Sequence, residues 1–371
     1  MANLYINVSS AVHILPICDL QFEDIVVKPN DIFDATHVKV DIRNNPAFRK
    51  FSPAILNGAE NVTLSRDYAL GDLIQLIPVA REFKKQKNIK NLYIATSDRF
   101  VLTLKKLFPD LNFIRNISIN DKKYGIRIHL NSILENDHSL KNEHRNMHRV
   151  DIYGKFLETN LSVLDWSCAM EKSPKLFFDH DKDAVIALQL RGSGHMKTLP
   201  QEFVKQMAIS IAKTGYKVLL IDQDTTKGFE SENIINACGK MSVIDIIENL
   251  RHCKCVLTMD SGVLWLAHVA NCPVITFLGP TREHERLTLH PSYPDKVRGI
   301  DLATHVGCNP CFETKVGCDG KINCMKNFNY DVVLKEVHTK LDEILKGDIK
   351  NGKTKKGSRG TRRSKSSRIG N

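Results

Sequence analysis

Residues 61–96, NVTLSRDYALGDLIQLIPVAREFKKQKNIKNLYIAT, decide the fold. NVTLSR reads as a short strand and DYALGD as a Gly-containing turn. LIQLIPVAREFKKQ reads as a helix with Leu73, Leu76, Ile77 and Ala80 on its apolar face. NLYIAT is the next strand, and RFVLTLKKLF (99–108) the next helix. Alternating strand and helix is the mark of a parallel sheet flanked by helices. YGIRIHL (124–130) supplies a third strand. A polar loop, ENDHSLKNEHRNMHR (135–149), leads to a helix at 151–160 and then a linker near LSVLDWSCAMEKSPK.

The same texture restarts at 184. AVIALQL is a strand, RGSGHMKTLP (191–200) a loop, and QEFVKQMAISIAKTG a helix stopped by Gly215. YKVLLID, MSVIDIIENLRHC and CVLTM read as strand, helix and strand. DSG opens the helix VLWLAHVANC, and PVITFLG is a further strand. Two such halves predict an α/β protein with two Rossmann-like domains facing across a cleft. Residues 1–60 alternate short apolar runs with Pro- and Asn-rich breaks, a β-rich extension. YDVVLKEVHTKLDEILK (330–346) places Leu334, Val337, Leu341 and Ile344 on one face, an amphipathic closing helix. The division expected is an extension at 1–60, a first domain at 61–170, a second at 171–346 and a disordered basic tail at 347–371.

The chain has 371 residues, 42% of them apolar, which fits about two domains and excludes global disorder. Its formal charge of +11 is unevenly placed. Residues 348–371 hold nine Lys and Arg against the single acid Asp348, so the folded body is only mildly basic. The tail suits a polyanion, either nucleic acid or an anionic membrane or lipopolysaccharide surface. The N-terminus lacks the pattern of a signal peptide. The most apolar stretch, 256–279, is interrupted by Asp260, His268, Asn271 and Pro273, so no transmembrane segment is expected. A soluble, cytoplasmic protein, peripheral to an anionic surface, is the expectation.

Four segments carry chemistry. In DYALGD, Gly71 is read as the turn residue. Asp72 then falls at a helix N-terminus on the rim of the sheet, where it serves either as an N-cap or as a general base toward an acceptor hydroxyl. In RGSGHMKTLP, Arg191, Ser193 and Lys197 surround two glycines, a loop able to approach an anionic group; it lacks the P-loop spacing. In MDSG, Asp260, Ser261 and Gly262 lie between a buried strand and a helix, a place for a phosphate or diphosphate. His268 follows on the same helix and reads as a core histidine. Cys308, Cys311, Cys318 and Cys324 cluster with a CxxC knuckle and fit a structural zinc or iron site with four thiolates. The other six of the ten cysteines are scattered like reduced core residues.

Taken in order, LGDLIQLIPVAREFK, MKTLP, DSGVLWLAHVANCPVITFLGPT and CNPC…CDG…NCM resemble the bacterial heptosyltransferase family, glycosyltransferase family 9, over about residues 61–330. YKVLLIDQD and LRHCKCVLTMDSGVLWLA are similar to autotransporter protein heptosyltransferases in particular. Those enzymes also have a β-rich N-terminal extension and a four-cysteine metal site. The resemblance implies a GT-B fold and inverting sugar transfer from a nucleotide-sugar donor, often ADP-heptose, with no catalytic divalent metal. It marks Asp72 as the base, Lys197 as the ligand of the donor phosphates, and Asp260, Ser261 and Gly262 as the donor segment. Trp265 stands where many members place a histidine, and DQDTTKGFE departs from the usual acidic contact to the donor ribose. The acceptor expected is a glycolipid or other carbohydrate. The alternatives are a protein, a nucleic-acid base in the manner of viral enzymes, or a non-catalytic nucleic-acid-binding protein on the same scaffold.

Overall fold

The computed structural model describes residues 4–7, 13–15, 25–27, 31–34, 38, 41–51, 56–67, 69–116, 122–131, 147–162, 164–169, 174–192, 194–229, 231–287, 296–308, 311 and 323–354, with backbone only at 4, 14, 25, 26, 34, 122, 195 and 346–354. The first half contains β1 (Leu4–Asn7), β2 (His13–Leu15), β3 (Ile25–Val27), β4 (Asp31–Asp34), β5 (Phe48–Lys50), β6 (Asn61–Ser65), α1 (Leu70–Gln86), β7 (Asn91–Thr96), α2 (Asp98–Leu107), β8 (Asn112–Arg115), β9 (Ile126–His129) and α3 (Arg149–Phe156). The second contains β10 (Val185–Gln189), α4 (Gln201–Ala212), β11 (Lys217–Ile221), β12 (Ile234–Asn236), α5 (Val243–His252), β13 (Cys255–Met259), α6 (Gly262–Ala270), β14 (Val274–Leu278), α7 (Glu283–Arg286), β15 (Val297–Asp301), α8 (Leu302–His305), α9 (Asn323–Lys326) and α10 (Tyr330–Thr354).

The second sheet is parallel, in the order β12-β11-β10-β13-β14-β15. This is a doubly wound sheet, whose strand order reverses between β10 and β13. Its central strands are buried from end to end, which is why CVLTM and VITFL are continuous apolar runs without alternation. A capping box between Ser242 and Asp245 starts α5. Asn271 at φ 54° ends α6 in the left-handed conformation.

The first sheet has the order β5-β1-β4-β9-β6-β7-β8. Strands β6 to β9 run parallel and repeat the doubly wound pattern, with the reversal between β6 and β9. The extension is not a separate layer. Its strand β4 joins β9 in parallel, and β1 and β5 continue antiparallel from there, while β2 and β3 form their own hairpin. A buried ion pair welds the junction: Arg127 on β9 meets Asp31 on β4, and His129 Nε2 lies 2.8 Å from the same carboxylate. The extension adds a small core of Tyr5, Leu15, Val27, Phe33, Ile42 and Phe48.

Two differences from the sequence reading concern boundaries. The backbone of α10 stays helical to Thr354, past the Lys346 end expected for the closing helix. Gly71 is not the turn residue. It lies inside α1, and the turn falls at Ala69, which has φ 47°. The physical need for glycine at 71 is instead close packing. A Cβ there would lie 2.9 Å from Trp265 Cδ1 and 3.5 Å from the Gly262 Cα, both on α6 of the other domain.

The two domains meet along this contact. Residues 263–270 of α6 are buried on every side, as a sequence apolar but for His268 requires. One hydrophobic cluster runs from Leu73 and Ile77 of α1 to Leu264 and Trp265 of α6. Across the seam, the rings of His148, Trp265, His268 and Trp166 stand in a row at centroid spacings of 5.7, 5.4 and 5.3 Å.

Candidate active site

Ligands of doubly wound sheets bind where the strand order reverses, outside the C-terminal ends of the strands. Each sheet here contributes one such point. In the first domain it follows β6 and holds Arg66 and Asp72. In the second it lies between the loops after β10 and β13, which hold Lys197 and Asp260–Gly262.

Asp72 is the third residue of α1 and does not cap it; the cap position belongs to Ala69. Its carboxylate instead faces two guanidiniums. Arg66 Nη2 donates to Oδ2, and Arg149 Nη1 donates to Oδ1 at 3.1 Å. Arg66 is fully buried and also donates from Nη1 to the Leu130 carbonyl at 3.2 Å. Arg149 is the first residue of α3. Gln75 Nε2 lies 3.4 Å from Oδ1. Burial pushes the Asp72 carboxyl up, but Arg66, Arg149 and Lys197 together hold it below the usual carboxylate range. Lys197, from the other domain, is thus within electrostatic reach of Asp72.

In the second domain, Lys197 Nζ lies 3.3 Å and Arg286 Nε 2.7 Å from Asp260 Oδ2. Gly192 makes the loop possible, since a Cβ there would fall 2.2 Å from the Lys197 carbonyl oxygen. Ser261 caps α6, accepting from Val263 N at 3.3 Å and donating to Gln189 Oε1 at 2.6 Å. Gln189 Nε2 then donates to the Arg191 carbonyl at 2.7 Å, which ties the loops after β10 and β13 together. Next to the site, burial with His268 and Arg149 nearby pushes the His148 imidazole down to about 3. Its Nδ1 accepts from Val150 N at 3.2 Å.

The structure therefore brings Asp72, Lys197, Asp260, Ser261 and Gly262 to one seam. Arg191 points elsewhere: its Nε donates to Asp222 Oδ2 at 2.7 Å, at the end of β11. Ser193 lies outside the described residues, as do Cys318, most of the 135–149 loop and the tail from 355. His268 packs as a core residue, its Nδ1 2.9 Å from the Leu264 carbonyl oxygen. Sequence reasoning missed Arg66, Arg149, Gln75, Gln189 and Arg286. Arg66 and Gln75 were close in sequence to Asp72, six residues before it and three after.

For the cysteine cluster, Cys308, Cys311 and Cys324 are described. Among the described residues no three Cys, His, Asp or Glu side chains gather as a metal would require. Cys324 packs beside Gly279, which opens the loop to α7: a Cβ there would lie 3.0 Å from its Sγ. No helix among the described residues is long and apolar enough to cross a membrane.

Known proteins share this fold. Residues 135–319 match glycosyltransferase family 9 (heptosyltransferase). The chain is a glycosyltransferase with a family 9 domain at those residues. Over 307 residues this glycosyltransferase is 23% identical to lipooligosaccharide heptosyltransferase 2 of Campylobacter jejuni, covering 77% of this chain and 93% of that one. Its fold is GT-B, shared with solved heptosyltransferases. One is TibC of enterotoxigenic E. coli, described as iron-containing and dodecameric (TM-score 0.59, 16% identity, 82% of this chain and 84% of that one). TibC has also been solved with ADP-D-β-D-heptose (TM-score 0.58, 15% identity, 92% and 91% covered). Another is the E. coli ADP-heptose lipopolysaccharide heptosyltransferase II (TM-score 0.53, 15% identity, 76% and 98% covered).

Proposed function

We propose that this glycosyltransferase moves a heptose from an ADP-heptose-type donor to a hydroxyl of a lipid-linked oligosaccharide, with inversion at the anomeric carbon. The observation that carries the reading is the meeting of the two switch points: a buried carboxylate from one domain beside a lysine and a helix N-terminus from the other. The similarity to a lipooligosaccharide heptosyltransferase supports the acceptor class, and the heptose-nucleotide complex of TibC supports the donor.

The chemistry follows from the side chains. The bond between the anomeric carbon and the diphosphate oxygen breaks, and the acceptor oxygen bonds to that carbon from the opposite face. The acceptor proton passes to the Asp72 carboxylate. The departing diphosphate gains charge, which Lys197 and the N-terminal end of α6 at Ser261–Gly262 stabilise. Arg66 and Arg149 hold Asp72 ionised and fix its orientation. Near-complete burial of Asp72, Asp260 and Ser261 keeps water, the competing acceptor, from the anomeric carbon.

The test is mass spectrometry of acceptor oligosaccharides incubated with ADP-heptose and a panel of other nucleotide sugars. Asp72→Ala is expected to lower turnover by about 10²–10⁴-fold while nucleotide binding persists. Retained turnover would remove Asp72 as the base. Cys308, Cys311, Cys318 and Cys324 would supply four thiolates to one zinc or iron in a structural role. Elemental analysis is expected to find about one metal per chain, and a metal-free folded protein would refute the site.

A further inference from the structure

We infer that Arg286 is a positioning residue for the donor end of the site: it stays on Asp260 so that Lys197 can leave that carboxylate for the donor diphosphate. The inference rests on the reading of Lys197 and Asp260–Gly262 as the donor site.

Asp260 Oδ2 is shared by two cations, Arg286 Nε at 2.7 Å and Lys197 Nζ at 3.3 Å. The two are not equivalent. The Arg286 side chain is fully buried, whereas that of Lys197 is 15% exposed and sits on a loop. Arg286 is fixed by the short turn of α7, where Glu285 Oε2 accepts from Arg282 N at 3.1 Å. Lys197 ends a single helical turn that opens at Gly194.

A buried carboxylate with one cation gives it up only by leaving an uncompensated charge in a low-dielectric place. With Lys197 as sole partner, Asp260 would compete with the incoming diphosphate for the ammonium. With Arg286 in place, Asp260 remains neutralised after Lys197 moves. In these two pairs one carboxylate faces two cations, so Asp260 keeps a counter-charge when one of them moves. Arginine suits the permanent role because its guanidinium stays protonated and is less strongly hydrated than an ammonium. No proton or covalent bond changes hands at Arg286.

The test uses the full chain and isothermal titration with ADP and with inorganic pyrophosphate, which share the chemistry of any donor diphosphate. Arg286→Met is expected to weaken binding of both by tenfold or more. Removing the charge that captures Lys197 should restore it, so Asp260→Asn combined with Arg286→Met should bind like Asp260→Asn alone. An equal loss from Arg286→Met in both backgrounds would overturn the inference, as would unchanged binding in the single variant. If Arg286→Met does not fold, the comparison of the double variant with Asp260→Asn decides by itself, and a tenfold gap between them overturns the inference. Lys197→Met tests the underlying reading separately: if it leaves diphosphate binding intact, this is not the donor site, whatever Arg286 does.

Discussion

Asp72 shows how two opposed effects set the chemistry of one side chain. A buried carboxyl is ordinarily harder to ionise, yet here Arg66, Arg149 and Lys197 outweigh burial and lower its pKa. A group with a depressed pKa keeps its charge as the pH falls through the neutral range and loses it only below the ordinary carboxylate value of 3.8. The acid side of the kcat/KM profile is therefore expected to stay flat down to about pH 5. In Arg149→Met one stabilising cation is gone, so the acid limb should move to higher pH. A profile of wild type and variant with superimposable acid limbs would show that Arg149 does not act on Asp72. The sequence pointed to Asp72 through its place in LGD, but its environment was illegible, because Arg149 lies 77 residues away.

At the scale of elements, the contact of α1 with α6 assigns Gly71 a purpose that its local sequence did not reveal. In a helix, Gly→Ala normally stabilises by about 0.5–1 kcal/mol. Here the added methyl would stand 2.9 Å from Trp265 Cδ1. Forcing an extra carbon into a packed interior costs about 1–3 kcal/mol, so the overlap is expected to win. Gly71→Ala should lower the midpoint of chemical unfolding, and Trp265→Leu should return most of the loss in the double variant. A stabilised single variant would mean that the two helices do not touch in solution. The strain of the turn is placed two residues earlier, at Ala69, where φ is 47°, a value that residues with a Cβ adopt at a cost. Periodicity located α1 and α10, which carry apolar residues at helical spacing. It could not show which helices would meet across domains.

For the whole molecule, two doubly wound sheets bring their switch points together, which turns two separate rims into one site. Positive charge is concentrated there. Asp72 is matched by Arg66 and Arg149, and Asp260 by Lys197 and Arg286, so the seam holds two carboxylates against four cations in these pairs. A diphosphate-bearing donor is the kind of ligand such a seam accepts. The extension is part of this architecture, because β4 completes the first sheet beside β9 and the Asp31–Arg127 pair fixes it there.

By itself, the sequence determined the two parallel-sheet halves, the loops at their rims and the residues Asp72, Lys197, Asp260, Ser261 and Gly262. These are matters of local period, turn chemistry and position relative to a strand end, all of which act over a few residues. Only the tertiary structure decided the rest. It turned Arg191 toward Asp222, joined the extension to the first sheet, and set Arg66, Arg149 and Arg286 against the two carboxylates. Those choices depend on Coulomb and packing contacts between segments distant in sequence, and such contacts leave no periodic trace along the chain.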